Sequence, residues 1–381
     1  KLDGVTGRPL AGWVVVPQTD GVTESGISLL QASLGTTMEH YAGIDVSLEA
    51  SSVCVVDGSG KIVREGKVAS EPSALIAWFA GLELARIGLE AGPLSQWLYA
   101  GLASAGLHAE LLETRHMRAA FKIMPVKTDR KDARGIAQLM RLGWFRPVHC
   151  KSLPAQETRA VLTARRLLQA KLHDVEMSVR GVLRGFGLKV GATTSKSFES
   201  RVRELAAGHP TLELITQALL SARSTLAAEF AALDRKVRSM ARTDGKARLL
   251  MSTPGVGAIV ALTYSAAIDD PGRFRSSKAA GAHFGLTPKK YQSGETDVTG
   301  RISKIGDKEV RCALYEAAHV MLTRPTKGSK LKTWALAIAR RAGTRKAKVA
   351  LARRLAVVLH RMLADGTAFD PDLGGLVAKA T

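Results

Sequence analysis

Residues 41–70 read "YAGIDVSLEASSVCVVDGSGKIVREGKVAS", and the fold of the N-terminal half turns on them. Three short runs rich in β-branched residues, "YAGIDVS", "SSVCVVDGSG" and "KIVREGKVAS", are separated by Gly, Ser and Asp turn residues. That pattern predicts an antiparallel meander of three strands. Beyond it, Ser70 to Pro72 offer a cap and an early proline, and Leu75, Ile76, Phe79 and Leu82 recur at helical spacing. A fourth strand is expected at "ARIGLEAG" (85–92), a helix around "PLSQWLYAGLASAG" (93–106), a fifth strand at "HAELLET" (108–114) and a further helix from about Lys127.

Three antiparallel strands followed by alternating helices and strands is the order expected of a ribonuclease-H-like α/β domain. Within it, acidic residues fall at strand ends: Asp45 in "GIDVS" and Glu90 in "GLEAG". Asp129 and Asp132 in "KTDRKDARGIA" stand three residues apart, on one face of a helix N-terminus. If the first and fourth strands are neighbours, the four carboxylates meet at one edge. Carboxylates gathered without counter-charge repel and call for hard divalent cations, of which Mg²⁺ takes oxygen ligands and bridges phosphate. Two such ions, roughly 3.5 to 4 Å apart, stabilise both the attacking and the leaving oxygen of an in-line displacement. Taken singly, each Asp has a simpler reading as a turn residue or, for Asp129, as a helix N-cap. Lys127, Arg130, Lys131 and Arg134 surround the aspartates and suit a site that a phosphodiester must approach.

Residues 154–245 change to long helical patterns. Leu162, Leu168, Leu172, Val175, Val179 and Val182 make one apolar stripe, and Leu219, Leu226, Phe230, Leu233 and Val237 another, joined by "GFGLKVGATTSKSF". A coiled-coil arm that dimerises and a helical hairpin packed on its own chain both satisfy the pattern, whose heptad spacing is imperfect. Further on, "TPGVGAIVAL" reads either as a helix-hairpin-helix turn whose amides hold a phosphate or as a tight glycine turn between packed helices. Arg273, Arg275, Lys278, Lys289, Lys290, Arg301 and Lys304 outline a phosphate path, with Phe274, Phe284 and Tyr291 available for stacking. Ser293, in "PKKYQSGETDV", is a turn residue, a phosphate clamp or a nucleophile. No base accompanies it in that stretch, and His283 and His319 read better as structural histidines. Ser277 reads as an N-cap. The helix "KAKVALARRLAVVLHRML" is basic on one side and apolar on the other, a pattern that suits a membrane surface or, better in a chain this basic, a face that tracks a nucleic-acid backbone.

The chain has 381 residues and a formal charge of +21, a field that attracts polyanions and favours nucleic acid as partner. The apolar run "GAIVALTYSAAI" (257–268) falls short of the ~20 residues of a spanning helix, which argues against a membrane protein. Cys54, Cys150 and Cys312 form neither a CxxC pair nor a disulfide framework, and the cytoplasm is the expected compartment. Residues 1–37 carry Lys1 and Arg8 against Asp3, Asp20 and Glu24, a net −1, and the first methionine is Met38. They are expected to be a disordered or non-native extension.

"YAGIDVSLEASSVCVVD", "LEAGPLSQWL", "VKTDRKDARGIAQLMRLGW", "LMSTPGVGAIVALTYSAAI", "FRSSKAAGAHFGLTPKKYQSG" and "RISKIGDKEVRCALYEAAHVML" together resemble the insertion-sequence-110 family of bacterial (DEDD) transposases, from Met38 to about Leu363. The resemblance implies an N-terminal catalytic domain similar to the Holliday-junction resolvase RuvC (38–150), a helical or coiled-coil linker (151–245), a mostly α-helical C-terminal transposase domain (246–365) and a tail (366–381). It places the family's four acidic residues on Asp45, Glu90, Asp129 and Asp132 and its nucleophilic serine on Ser293. It further implies DNA recombination by a synaptic homo-oligomer, a dimer to a tetramer, whose composite centre draws on different subunits. A structured guide RNA pairing with target and donor DNA is the other implied partner. Two departures stand out: "EAGP" where many members carry Thr-Gly after the catalytic Glu, and the segment before Met38, which has no family counterpart.

Overall fold

The computed structural model describes residues 39–122, 128–326 and 328–372. The expectations for residues 1–37, for Lys127 and for most of the tail lie outside them. The chain divides into two compact units, the first ending at Val148 and the second starting at His149.

The first unit runs β1 (His40–Asp45), β2 (Ala50–Val56), β3 (Ile62–Ala69), α1 (Pro72–Phe79), β4 (Leu84–Glu90), α2 (Ser95–Ser104), β5 (Ala109–Leu112), α3 (Thr114–Phe121) and α4 (Asp129–Leu142). The sheet has the order β3-β2-β1-β4-β5. β1 pairs antiparallel with β2 and β2 with β3, whereas β1 to β4 and β4 to β5 are parallel. The five strands fall where the turn residues and β-branched runs put them. Ser70, expected as a helix cap, is instead buried, its hydroxyl donating to the Ser47 carbonyl at 2.7 Å, and Glu71 occupies the cap position without a side-chain bond. Helix α3 was not anticipated.

Helix α4 lies against the sheet because two strands offer it glycines. A Cβ on Gly43 of β1 would stand 2.2 Å from the Ala133 carbonyl oxygen and 2.4 Å from the Ala137 nitrogen. Only a residue without a side chain permits that approach. Gly88 of β4 does the same beneath Ile136 and Met140. Ile136, Ala137 and Met140 are fully buried there.

The second unit is helical apart from one hairpin: α5 (Leu153–Gly185), α6 (Phe198–Ala206), α7 (Pro210–Thr243), α8 (Gly245–Met251), α9 (Ala258–Ile268), α10 (Ser277–His283), β6 (Pro288–Ser293), β7 (Thr296–Ile302), α11 (Lys308–Thr323), α12 (Lys330–Ala342) and α13 (Thr344–Asp365). Helices α5 and α7 are antiparallel: Arg165 pairs with Asp234, and further along α5 Glu176 pairs with the earlier Arg223. Val179, Leu183, Phe198, Val202, Leu212 and Leu220 close the far end. The apolar stripes sit on the facing sides, yet most of their residues remain half-exposed.

The main core of this unit surrounds α9, which is buried from Val260 to Ile268. Among the described residues no helix is long and apolar enough to cross a membrane; α9 is apolar all round because helices pack on every side of it. The Tyr264 hydroxyl donates to the buried Ala356 carbonyl. In the "TPGVG" turn, Gly255 has φ of +85° and a Cβ there would meet the Ala317 carbonyl of α11 at 2.5 Å. Thr253 and Val256 are buried. The turn is therefore a packed connection between helices.

Asp269, at φ of +62°, ends α9 and ties it to the start of α5. Its carboxylate accepts from the Ser152 hydroxyl at 2.6 Å, the Ser152 amide at 2.7 Å and His149 Nε2 at 2.8 Å. Burial alone raises its pKa, but the hydrogen bonds from Ser152 and the neighbouring His149 outweigh that and hold it at about 2. A carboxylate depressed on folding stabilises fully above the unfolded value near 3.9 and loses that contribution as pH falls toward about 2. Asp269→Asn, which tolerates the backbone angle, is expected to cost about 1–3 kcal/mol at neutral pH. Chemical unfolding should show the gap from the parent closing between about pH 4 and pH 2.

Candidate active site and nucleic-acid interface

The acidic residues belong to elements that meet at one end of the sheet. Ile44 of β1 lies opposite Leu89 of the parallel strand β4. Asp45 and Glu90 are the next residues of these two neighbours, which run about 4.8 Å apart. Helix α4 crosses β1 where Ala133 rests on Gly43. Asp132 therefore precedes the crossing point and is 5% exposed, while Asp129 stands one turn earlier and is exposed. The N-cap of α4 is Thr128, whose hydroxyl accepts from the Lys131 amide at 3.2 Å. Asp129 is thus not the cap.

This donor set is all oxygen, the chemistry of a hard divalent ion. Among the described residues, however, no three His, Cys, Asp or Glu side chains are gathered closely enough to hold a metal ion. The carboxylates share an edge without converging on a point.

The cations around the aspartates are not equally available. Arg134 makes a two-pronged contact with Glu65 of β3, Nε and one terminal nitrogen each at 2.8 Å from a carboxylate oxygen, and Arg130 pairs with the same carboxylate. Lys131 is exposed. Glu65 escaped notice in the sequence because its partners lie 65 and 69 residues away.

In the second unit, Ser293 ends β6 in a two-stranded ribbon rather than a loop. Ser293 pairs with Thr296 and Gln292 with Asp297, leaving Gly294 and Glu295 as the turn. Every residue from 288 to 301 is exposed, and neither face of the ribbon carries an apolar stripe. Lys289 is exposed and Lys290 pairs with Asp297 at 3.1 Å.

The phosphate path expected from the sequence divides on inspection. Arg275, Lys278, Arg301 and Lys304 are exposed. Arg273 turns inward: its guanidinium donates to the Ile268 and Ala267 carbonyls, satisfying the end of α9, and lies 4.2 Å above the Phe274 ring. Of the three aromatics expected to stack on bases, Phe284 is fully buried against Tyr264 and Phe274 packs between His283 and His360. Tyr291, 66% exposed, fits that role. Ser277 is not an N-cap either. Ser276 holds that position, and the Ser277 hydroxyl lies 3.0 Å from Nδ1 of buried His360. His360 Nε2 faces the Pro271 carbonyl at 3.2 Å, so it carries the proton and Nδ1 accepts from Ser277. Burial lowers the His360 pKa, in keeping with a neutral ring.

Comparisons with known proteins agree with this architecture. Residues 42–187 match the model of DEDD transposases of the IS110 type, described as "Transposase", and residues 247–333 match the "Transposase IS116/IS110/IS902 family". An α/β unit with an acidic edge joined to a helical unit is thus the arrangement of a transposase, the class of enzyme that moves insertion sequences. The transposase for insertion sequence element IS1111A of Coxiella burnetii is 25% identical over 327 residues, covering 84% of this chain and 88% of that protein. The transposase for IS1328 of Yersinia enterocolitica is 30% identical over 138 residues, 36% of this chain and 41% of that protein. The chain belongs to the IS110 family of insertion-sequence transposases.

Proposed function

We propose that this transposase cuts and rejoins DNA with a divalent-metal site on Asp45, Glu90, Asp129 and Asp132 and with Ser293 as nucleophile. The observation that carries the reading is the meeting of Asp45, Glu90 and the first turn of α4 at one end of the sheet. The strand order β3-β2-β1-β4-β5 supports a RuvC-like catalytic domain over 38–150, followed by a helical linker over 151–245 and a transposase domain over 246–365. Mg²⁺, when bound, supplies positive charge against the scissile phosphate.

Ser293 Oγ gives up its proton and forms the new bond to phosphorus, the bond to one DNA strand breaks, and a proton passes to the departing strand oxygen, so that one hydroxyl is consumed and one formed. The phosphoserine keeps the ester for rejoining: a second strand's hydroxyl attacks it and releases Ser293. Exposed Arg275, Lys278, Lys289, Arg301 and Lys304 hold the strand by its phosphates. A guide RNA and a homo-oligomeric synaptic complex complete the reading; sequencing of nucleic acid that copurifies with the protein tests the former.

The direct test incubates the full chain with junction DNA carrying element ends. Asp132→Asn and chelation of divalent ions are each expected to remove joined products, while DNA stays bound. Joining in excess chelator would sink the metal site. Glu65→Gln, which frees Arg130 and Arg134, is expected to tighten nucleic-acid binding several-fold at low salt and to steepen its salt dependence by about one to two phosphate contacts. An unchanged salt slope would show that these arginines face no phosphate.

A further inference from the structure

We infer that a groove in the second unit, between the β6–β7 ribbon and helices α10, α12 and α13, holds an unstacked single strand of DNA. The inference rests on the DNA-acting reading above and names the form of substrate that this part of the protein takes. The groove has a volume of about 1080 Å³. That is at the upper end of the roughly 300–1,000 Å³ usual for small-molecule pockets.

Its floor is apolar, formed by Leu286, Ile302, Trp334, Val349 and Val357, and its rim is cationic, formed by Lys278, Arg301, Lys304, Arg345, Arg353 and Arg354. Among the described residues no carboxylate lines it. Helix α13 builds one wall by a four-residue rhythm, Arg345, Val349, Arg353, Val357, which keeps all four on one face. Arg345 and Arg353 are about 12 Å apart along the axis, a span that reaches more than one phosphate of an extended strand. Arg354 lies 4.8 Å over the Trp334 ring, a flat cation–aromatic plate.

Duplex DNA presents only phosphates and groove edges, and an apolar floor gains little from it. A single strand presents base faces to the floor and phosphates to the rim at once. An apolar helix from a second copy would bury the seven cations that line the groove, Lys346 included, with no carboxylate among them, which is costly. Thr299 to Ile302 form another wall and belong to the ribbon that ends at Ser293. Ser293 stands at the opposite, turn end of that ribbon.

The experiment uses the full chain and a roughly 12-nucleotide DNA strand carrying 2-aminopurine, with the same sequence as RNA and as DNA duplex, at one fixed salt concentration. The expected result is a change in 2-aminopurine emission on binding single-stranded DNA. Arg345→Glu combined with Arg353→Glu, both at exposed positions, should weaken that binding at least about tenfold and duplex binding less than about twofold. Val357→Asp should suppress the emission change while circular dichroism stays that of the parent. Equal losses for single strand and duplex would reduce the groove to a general phosphate face and overturn the inference. So would unchanged emission, binding of RNA in preference to DNA, or variants that alter self-association and leave DNA binding intact. Because these readouts are binding alone, a protein that fills the groove but exchanges no strands retains this inference and loses the proposed reaction.

Discussion

Ser293→Ala is expected to lower strand exchange by at least about a thousandfold while leaving DNA affinity within about twofold of the parent. The alanine removes one oxygen from an exposed ribbon position and disturbs no packing, so folding gives no alternative account of the loss. A covalent protein–DNA adduct, seen on a denaturing gel with the parent, should disappear with the variant. If the variant yields hydrolysed ends at the parent rate, water is the nucleophile and Ser293 only grips phosphate. Joined products at the parent rate would refute the covalent step outright.

Gly43→Val should unfold or severely loosen the first unit. Any Cβ at this position sits 2.2 Å from the Ala133 carbonyl oxygen, and helix backbone cannot give way as a flexible side chain does. Overpacking in a core costs about 1–3 kcal/mol where neighbours can shift; here α4 must lift bodily, and about 3 kcal/mol or more is expected. Calorimetry of the full chain should show the unfolding of the first unit shifted to lower temperature while that of the second unit stays in place. Gly58→Ala, where nothing lies within 4 Å, serves as the control and should stay within about 0.5 kcal/mol of the parent. Equal stability of the two variants would remove the close approach from the account.

The N-terminal sheet was legible because its strands are short runs rich in β-branched residues, bounded by Gly, Ser and Asp turn residues. Asp45 and Glu90 stood out as carboxylates at the ends of such strands, and the spacing of Asp129 and Asp132 placed them on one helix. Which of the basic residues face solvent was not legible. Arg273 and Arg275 are two residues apart and equally charged, yet one satisfies the end of α9 and the other is exposed. That difference arises from tertiary packing. Phe284 looked like a stacking platform and proves to be core, because the helices that cover it come from distant sequence. The β6–β7 ribbon is not legible for a related reason: with both faces exposed it shows no alternation of apolar and polar residues. The Glu65 contacts were visible only once partners 65 and 69 residues away were in place.

An isolated two-stranded ribbon in water is marginally stable at best. The segment that ends at Ser293 has no core of its own beneath it, so a partner that clasps the ribbon supplies much of the order its serine needs. Under the proposed mechanism the chemistry is then idle by default, and accuracy becomes a property of the assembled complex.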